Sequence, residues 1–263
     1  MSGDYRAARP LLDEWTARVS RQPPQYTPER ADQLATLSRF LEYGGQLEPA
    51  EKLARQALAL DRALYGDRHD RVASAMSQLG GVLLDERRRP EAEPLLRRAV
   101  AIIRQNHPEG HMHLANALRD LGSELTDAQQ WDEAERVWRE SADLYARFSG
   151  QGSSAYASSA SFADYAQSER GDPVQAEQSL RRLLALKYLS DSPKSPIAVR
   201  TRMFLGVALL KEGRTQDAEP LLLDAYRAAR GSPFNAVGKR IAASALVNLY
   251  ETTDRPAEAA KFR

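Results

Sequence analysis

The sequence predicts an all-α fold: a right-handed α-α superhelix, a solenoid of about twelve main helices in antiparallel pairs. Three observations predict it. Ala-Glu pairs recur every 42 residues, at Ala50-Glu51, Ala92-Glu93, Ala134-Glu135, Ala176-Glu177 and Ala218-Glu219. Twelve residues before these alanines stand Ser38, Gly80, Gly122, Asp164 and Gly206, preceded by Leu37, Leu79, Leu121, Ala163 and Leu205. Nineteen residues before them stand Ala31, Ala73, Ala115, Ala157 and Val199. Columns held in phase over five copies mark a repeat array, in which each unit buries its apolar face only against its neighbours.

Within each copy the pattern reads as two helices. Helix A carries apolar residues at helical spacing, as in Val72, Met76, Leu79 and Leu83. A turn rich in Gly and charge follows, at Gly44-Gly45, Arg87 to Arg89, Gly171-Asp172 and Gly213-Arg214. Helix B begins after it. Pro10, Pro94 and Pro220 share one phase and are expected in its first turn, where amides lack an intrahelical partner. Thr27-Pro28 and Ser195-Pro196 read as helix A caps followed by proline at the first helical position. The small columns are expected where helices A and B approach closely, with Leu53, Leu95, Val137, Leu58, Val100 and Leu184 filling the seam between repeats.

These phases make residues 1–263 a single array. Residues 1–26 supply the second helix of a truncated repeat, 27–68, 69–110, 111–152, 153–194 and 195–235 are five full repeats, and 236–263 form a C-terminal half-repeat. Ala8 lies 42 residues before Ala50, so the segment 8–20 is expected to be a helix B without its helix A. Its apolar face, Leu11, Leu12, Trp15 and Val19, is then open on one side and invites self-association. On this reading the chain is a fragment of a longer protein.

Composition narrows function. The chain has 37 basic and 36 acidic residues, a net charge of +1, which gives no reason to expect nucleic acid or anionic lipid as a general partner. The basic run Arg87 to Arg89 reads as a solvated turn. Without cysteine there are no disulfides, Cys-based zinc sites or thiol nucleophiles. The start, MSGDYRAARP, has no apolar stretch to act as a secretion signal, and segments such as Ile241 to Tyr250 are too short to span a bilayer.

The Leu-Gly of helix A, the Ala twelve residues after that Gly, and the further small residue seven later (Ala57, Ala99, Ser141, Ala225) resemble the tetratricopeptide repeat over the whole chain. The 42-residue period, the string Glu-Ala-Glu-Pro-Leu-Leu-Arg-Arg-Ala at 91–99, and the loops Asp-Arg-His-Asp at 67–70 and His107-Pro108-Glu109 resemble its kinesin-light-chain-like subtype. The ending, Leu246 to Glu251 and Arg255 to Arg263, resembles the terminal half-repeat of bacterial serine/threonine kinases, which carry a kinase domain and a C-terminal repeat array, often with a membrane helix between. No Gly-rich loop, His-Arg-Asp or Asp-Phe-Gly of a kinase is present.

Chemistry-bearing residues are few. His107, His111 and His113 lie within seven residues and are of a type that ligates transition metals. His69 and His111, however, share the phase of Thr27, Ser153 and Ser195, which makes them cap residues; no metal site is expected. Trp131 and Trp138 read as core around the start of a helix B. The run Ser149 to Ser161 reads as a loop and a weakly polar helix A, since no Gly-x-Ser-x-Gly or phosphate loop accompanies it.

The resemblance implies that helix A lines a concave groove. Its positions give a candidate binding face for a protein or peptide: Arg39, Tyr43, Ser77, Asn116, Arg119, Ser123, Ser158, Ser161, Tyr165, Arg200 and Met203. The third and fourth repeats are expected to hold the partner, with Arg119 contributing most, because Ala35, Ser77, Ser161 and Met203 in its phase are uncharged. The Lys and Asn of the carboxylate clamp and the paired asparagines of many relatives are absent; Ala35-Thr36, Ser77-Gln78, Arg119-Asp120, Ser161-Phe162 and Met203-Phe204 stand there. The expectation is a non-catalytic binding module with no cofactor, serving as sensor or docking region of a bacterial serine/threonine kinase signalling protein, or else as a free-standing cytoplasmic scaffold. The first setting places it outside the cytoplasm when the parent is a membrane kinase.

Overall fold

The computed structural model describes residues 10, 14–18, 26–230 and 236–263. Among them are eleven long helices, two helices of four residues and no strand. The chain divides into two compact units, residues 1–124 and 125–263.

The first unit contains α1 (Pro28–Tyr43), α2 (Leu47–Tyr65), α3 (Asp70–Asp85), α4 (Arg89–Asn106) and most of α5 (Met112–Asp127). The second contains α6 (Trp131–Ser149), α7 (Ser154–Arg170), α8 (Pro173–Leu184), α9 (Lys187–Ser190), α10 (Pro196–Lys211), α11 (Thr215–Arg230), α12 (Ala236–Thr252) and α13 (Pro256–Ala259). Helices α1, α3, α5, α7, α10 and α12 are helices A; in the first unit α1 packs on α2 and α3 on α4, and in the second α7 packs on α8, α10 on α11 and α12 on α13.

The A helices start where hydroxyl or imidazole side chains cap them. Thr27 Oγ1 accepts from the Arg30 amide at 3.2 Å, Ser153 Oγ from Tyr156 at 3.2 Å and Ser195 Oγ from Ala198 at 3.3 Å. His69 and His111 do the same through Nδ1, to the amides of Arg71 and His113, at 3.2 Å each. The histidines in this phase are therefore capping groups, as their spacing implied.

The alanines of the Ala-Glu column, at 50, 92, 134, 176 and 218, are all wholly buried. Their column partners show why small residues are needed there. A β-carbon on Gly80 would stand 2.7 Å from Leu96 Cδ2, and one on Gly206 3.0 Å from Leu222 Cγ. Ser38 fits in the same place by donating its hydroxyl to the Ala50 carbonyl at 2.8 Å. The fourth repeat puts Asp164 there, wholly buried, with Arg139 Nη1 at 3.4 Å. Burial pushes this carboxyl up to about 6, although the Ser179 hydroxyl and Arg139 act against the rise.

Two sequence expectations change, and a short extra helix is added to the fourth repeat. Pro94 and Pro220 are the sixth residues of α4 and α11, in the second turn rather than the first, because both helices begin earlier than the proline phase suggested. The run Arg87 to Arg89 is not simply solvated. Arg88 bonds Glu51 on the preceding helix B, Glu86 and Glu91, each at 2.8 Å, and Arg89 Nε lies 3.1 Å from the wholly buried Glu124. The Glu of the Ala-Glu column recurs in this role: Arg214 bonds Glu177 and Arg255 bonds Glu219. Finally, helix B of the fourth repeat is cut to twelve residues, and α9 follows it, seating Leu189 beside Ala157 and Ala198.

The expected truncated helix over 8–20 lies outside the described residues except for 10 and 14–18, which are helical. Leu11, Leu12 and Val19 are outside. Trp15 is half-buried against the α1–α2 core and tilted on Phe40, ring centroids 6.4 Å apart.

Candidate ligand-binding faces

In the first unit, charged groups on three A helices act on one another. Glu42 on α1 lies over Gly81 of α3, its Oε1 3.4 Å from where a β-carbon would stand. Burial, then Asp85 of α3, raise the Glu42 carboxyl to about 7; Arg39 opposes this and Asp120 of α5 adds to it. Asp120 is raised by burial, against the pull of Arg119 and Arg39. These carboxylates are crowded by neighbouring groups yet keep contact with solvent. Between helices, Gln78 donates to the Ala35 carbonyl at 2.6 Å, and Arg71 bridges Asp32 at 2.6 Å and Asp61 at 3.0 Å.

Of the sequence-predicted binding residues in this unit, Arg39, Tyr43, Arg119 and Ser123 are exposed and Asn116 is half-buried. Ser77 is buried, with its hydroxyl out of solvent. Arg119 is not an isolated cation: its Nε and Nη2 donate to Asp120 Oδ1 at 3.2 and 3.0 Å. Asp120 has no charged residue in its phase, where Thr36, Gln78, Phe162 and Phe204 stand, so periodicity carries no signal for it.

In the second unit a run of aromatic rings is in contact. Trp131 meets Tyr165 edge-on at 5.7 Å, Tyr165 stacks on Phe204 at 4.4 Å, Phe204 meets Phe162 at 5.2 Å, and Phe162 stacks on Trp138 at 4.6 Å. Trp138 is buried and donates its indole N–H to the Thr126 hydroxyl at 2.9 Å. This packing overturns three expected groove positions. Tyr165, Met203 and Ser161 are buried, the first two in the apolar core and the last with its hydroxyl donated to the Ser158 carbonyl at 2.8 Å. Ser159 and Ser168 of α7 are wholly buried as well, and Ser159 and Ser141 pair their hydroxyls at 3.1 Å.

Ser158 and Arg200 stay half-buried and meet. Arg200 Nη2 donates to Ser158 Oγ at 2.8 Å, and the guanidinium lies over the Phe162 ring, 4.7 Å from its centre. Arg200 Nε has neither partner nor solvent contact. Burial alone draws this guanidinium down to about 10, so it stays charged at neutral pH. Other cations nearby are paired: Lys211 with Glu169 at 3.1 Å and Arg240 with Asp127 at 3.2 Å.

The histidines gather at the first unit's loops. His107 bonds Asp70, stacks on His111 at 4.4 Å, and His111 meets His113 edge-on at 4.6 Å. Partial burial and the neighbouring imidazoles hold His111 below its ordinary range. Among the described residues no three His, Asp or Glu side chains are arranged to hold a metal ion, and no helix is long and apolar enough to cross a membrane.

Residues 32–105 match the sequence profile of the tetratricopeptide repeat. They are tetratricopeptide repeats. No curated protein matches the chain. Among solved structures, the nearly identical TPR-like repeats of a putative kinesin light chain from Podosopora anserina superpose with a TM-score of 0.65 at 19% identity, over 79% of this chain and 99% of that one. The apo form of RapI gives a TM-score of 0.75 at 12% identity, over 99% and 89%. A Rap protein in complex with Competence and Sporulation Factor gives 0.66 at 15% identity, over 98% and 68%. These likenesses assign the tetratricopeptide fold to the chain as a whole.

Proposed function

We propose that the chain is a tetratricopeptide binding module that takes up a protein or peptide on its A-helix faces and carries out no chemistry itself. The observation that supports this reading best is the coupling of Arg39, Glu42, Asp85, Arg119 and Asp120 on α1, α3 and α5. Three helices thereby offer one continuous surface of mixed charge, flanked by the exposed ring of Tyr43. Arg and Tyr are favoured at binding hot spots. The Rap complex of the same fold is in keeping with ligand uptake by such an array. In the finer reading the module is the sensor or docking region of a bacterial serine/threonine kinase signalling protein. That rests on the resemblance of residues 246–263, where α13 buries Ala259 and Phe262 meets Tyr226 and Tyr250.

The test is affinity capture with the immobilised chain from cells of its source, followed by calorimetric titration of each captured protein in pure form. A direct partner should bind, and Arg39→Glu with Arg119→Glu should weaken it at least thirtyfold, about 2 kcal/mol. If no captured protein binds in pure form, or if the double variant binds equally well, the face described is not the binding surface.

A further inference from the structure

We propose that Arg200, Ser158 and the face of Phe162 form an anchoring site for a carboxylate carried by a bound peptide. This deepens the reading above and rests on it. Four features of the second unit carry it. The Arg200 guanidinium is half-buried, yet the charge-bearing neighbours that accept from Lys211 and Arg240 have no counterpart here: its contacts are a neutral hydroxyl and an aromatic ring. Its Nε–H is out of solvent and bonds nothing. Ser158 Oγ accepts from Arg200, which leaves the Ser158 hydroxyl proton to be donated elsewhere. Phe162 is clamped between Trp138 and Phe204, so the ring beneath the guanidinium is held in place.

With Ser158 Oγ accepting from Arg200, what the constellation offers a ligand is N–H and O–H donors beside a positive charge, with no carboxylate among them. Arginine presents N–H groups in a planar fork, and the hydroxyl adds another donor beside it. The complement of a donor-only, cationic site is an acceptor-only anion, and a carboxylate matches the fork in bidentate fashion. A structural ion pair would have placed its own Asp or Glu against Arg200. A solvated surface arginine would not leave Nε shielded. Ser158 and Arg200 also stand one repeat apart, 42 residues, so the site joins two neighbouring A helices, where an extended peptide lying across them passes.

An array of random heptapeptides, made both with a free C-terminal carboxylate and as the C-terminal amide, tests this with the whole chain as the probe. Peptides bearing a carboxylate, at the C-terminus or as Asp or Glu, should dominate the bound set, and comparison of the two forms tells which source is used. Arg200→Gln should weaken those peptides at least tenfold, and Arg200→Lys less. Ser158→Ala should weaken them about threefold, and it keeps the test valid if Arg200→Gln fails to fold. Binding that ignores carboxylates and survives both Arg200→Gln and Ser158→Ala overturns the anchor while leaving the binding module intact. If no peptide binds the unaltered chain, the anchor and the peptide-binding reading fall together.

Discussion

Arg200 Nη2 donates to Ser158 Oγ at 2.8 Å, and no carboxylate shares in this contact between α10 and α7. Crowding a cation without a counter-charge costs stability, and the ring of Phe162 and one neutral hydrogen bond offset only part of that. Arg200→Met keeps the length of the side chain and removes the charge. Its stability by urea titration should stay within about 0.5 kcal/mol of the parent or rise by up to about 1 kcal/mol. A loss above about 2 kcal/mol would make Arg200 a structural residue.

Asp164 occupies the column where other repeats have Gly or Ser. Its carboxyl titrates at about 6 in the fold, above the ordinary value of 3.8, because it is buried. A raised carboxyl favours the protonated form, so its contribution is full below about pH 4 and is lost as pH rises through about 6. The loss is at most roughly 3 kcal/mol. Asp164→Ser, which can copy the bond of Ser38 to the Ala50 carbonyl, should remove this slope. Chemical denaturation at pH 4.5 and 7.5 reads it: equal slopes in variant and parent would refute the burial argument.

The turn between helices A and B holds one residue in the left-handed region in every repeat. Gly45, Gly171 and Gly213 adopt it, with φ of 73°, 119° and 79°, but so do Arg87 and Gln129, with φ of 63° and 59°. A side chain costs about 1–2 kcal/mol there, partly returned because glycine has more freedom in the unfolded chain. Arg87→Gly should therefore raise stability by about 0.5–1 kcal/mol, and Gly213→Ala should lower it by about 1 kcal/mol. A melting temperature that falls for Arg87→Gly would show that this arginine holds the turn by a contact.

Glu42 should titrate near pH 7, seen as the chemical shift of its carboxyl carbon. Asp85→Asn should move the midpoint to lower pH, since Asp85 is the like charge that acts most on it. A midpoint near the ordinary 4.5 in the parent chain would mean that the α1–α3 face is open to water rather than crowded.

The sequence by itself determined the repeat and its register. A 42-residue period is a covalent fact, and a wholly buried alanine column follows because any larger side chain would hold the two helices apart. Capping by Thr27, Ser153 and Ser195 was legible for the same reason, since a cap acts on amides three residues away. Only the tertiary structure decided which groove residues stay accessible and which charges stay unpaired. Arg119 and Arg200 look alike as lone cations in their columns, but one finds its adjacent aspartate and the other finds a serine one repeat away. Tyr165 and Met203 sit in groove phase, yet the large rings of Phe162 and Phe204 close the packing around them. Pairing and burial depend on the volumes and rotamers of side chains brought together from separate repeats, and periodicity along one chain does not contain them.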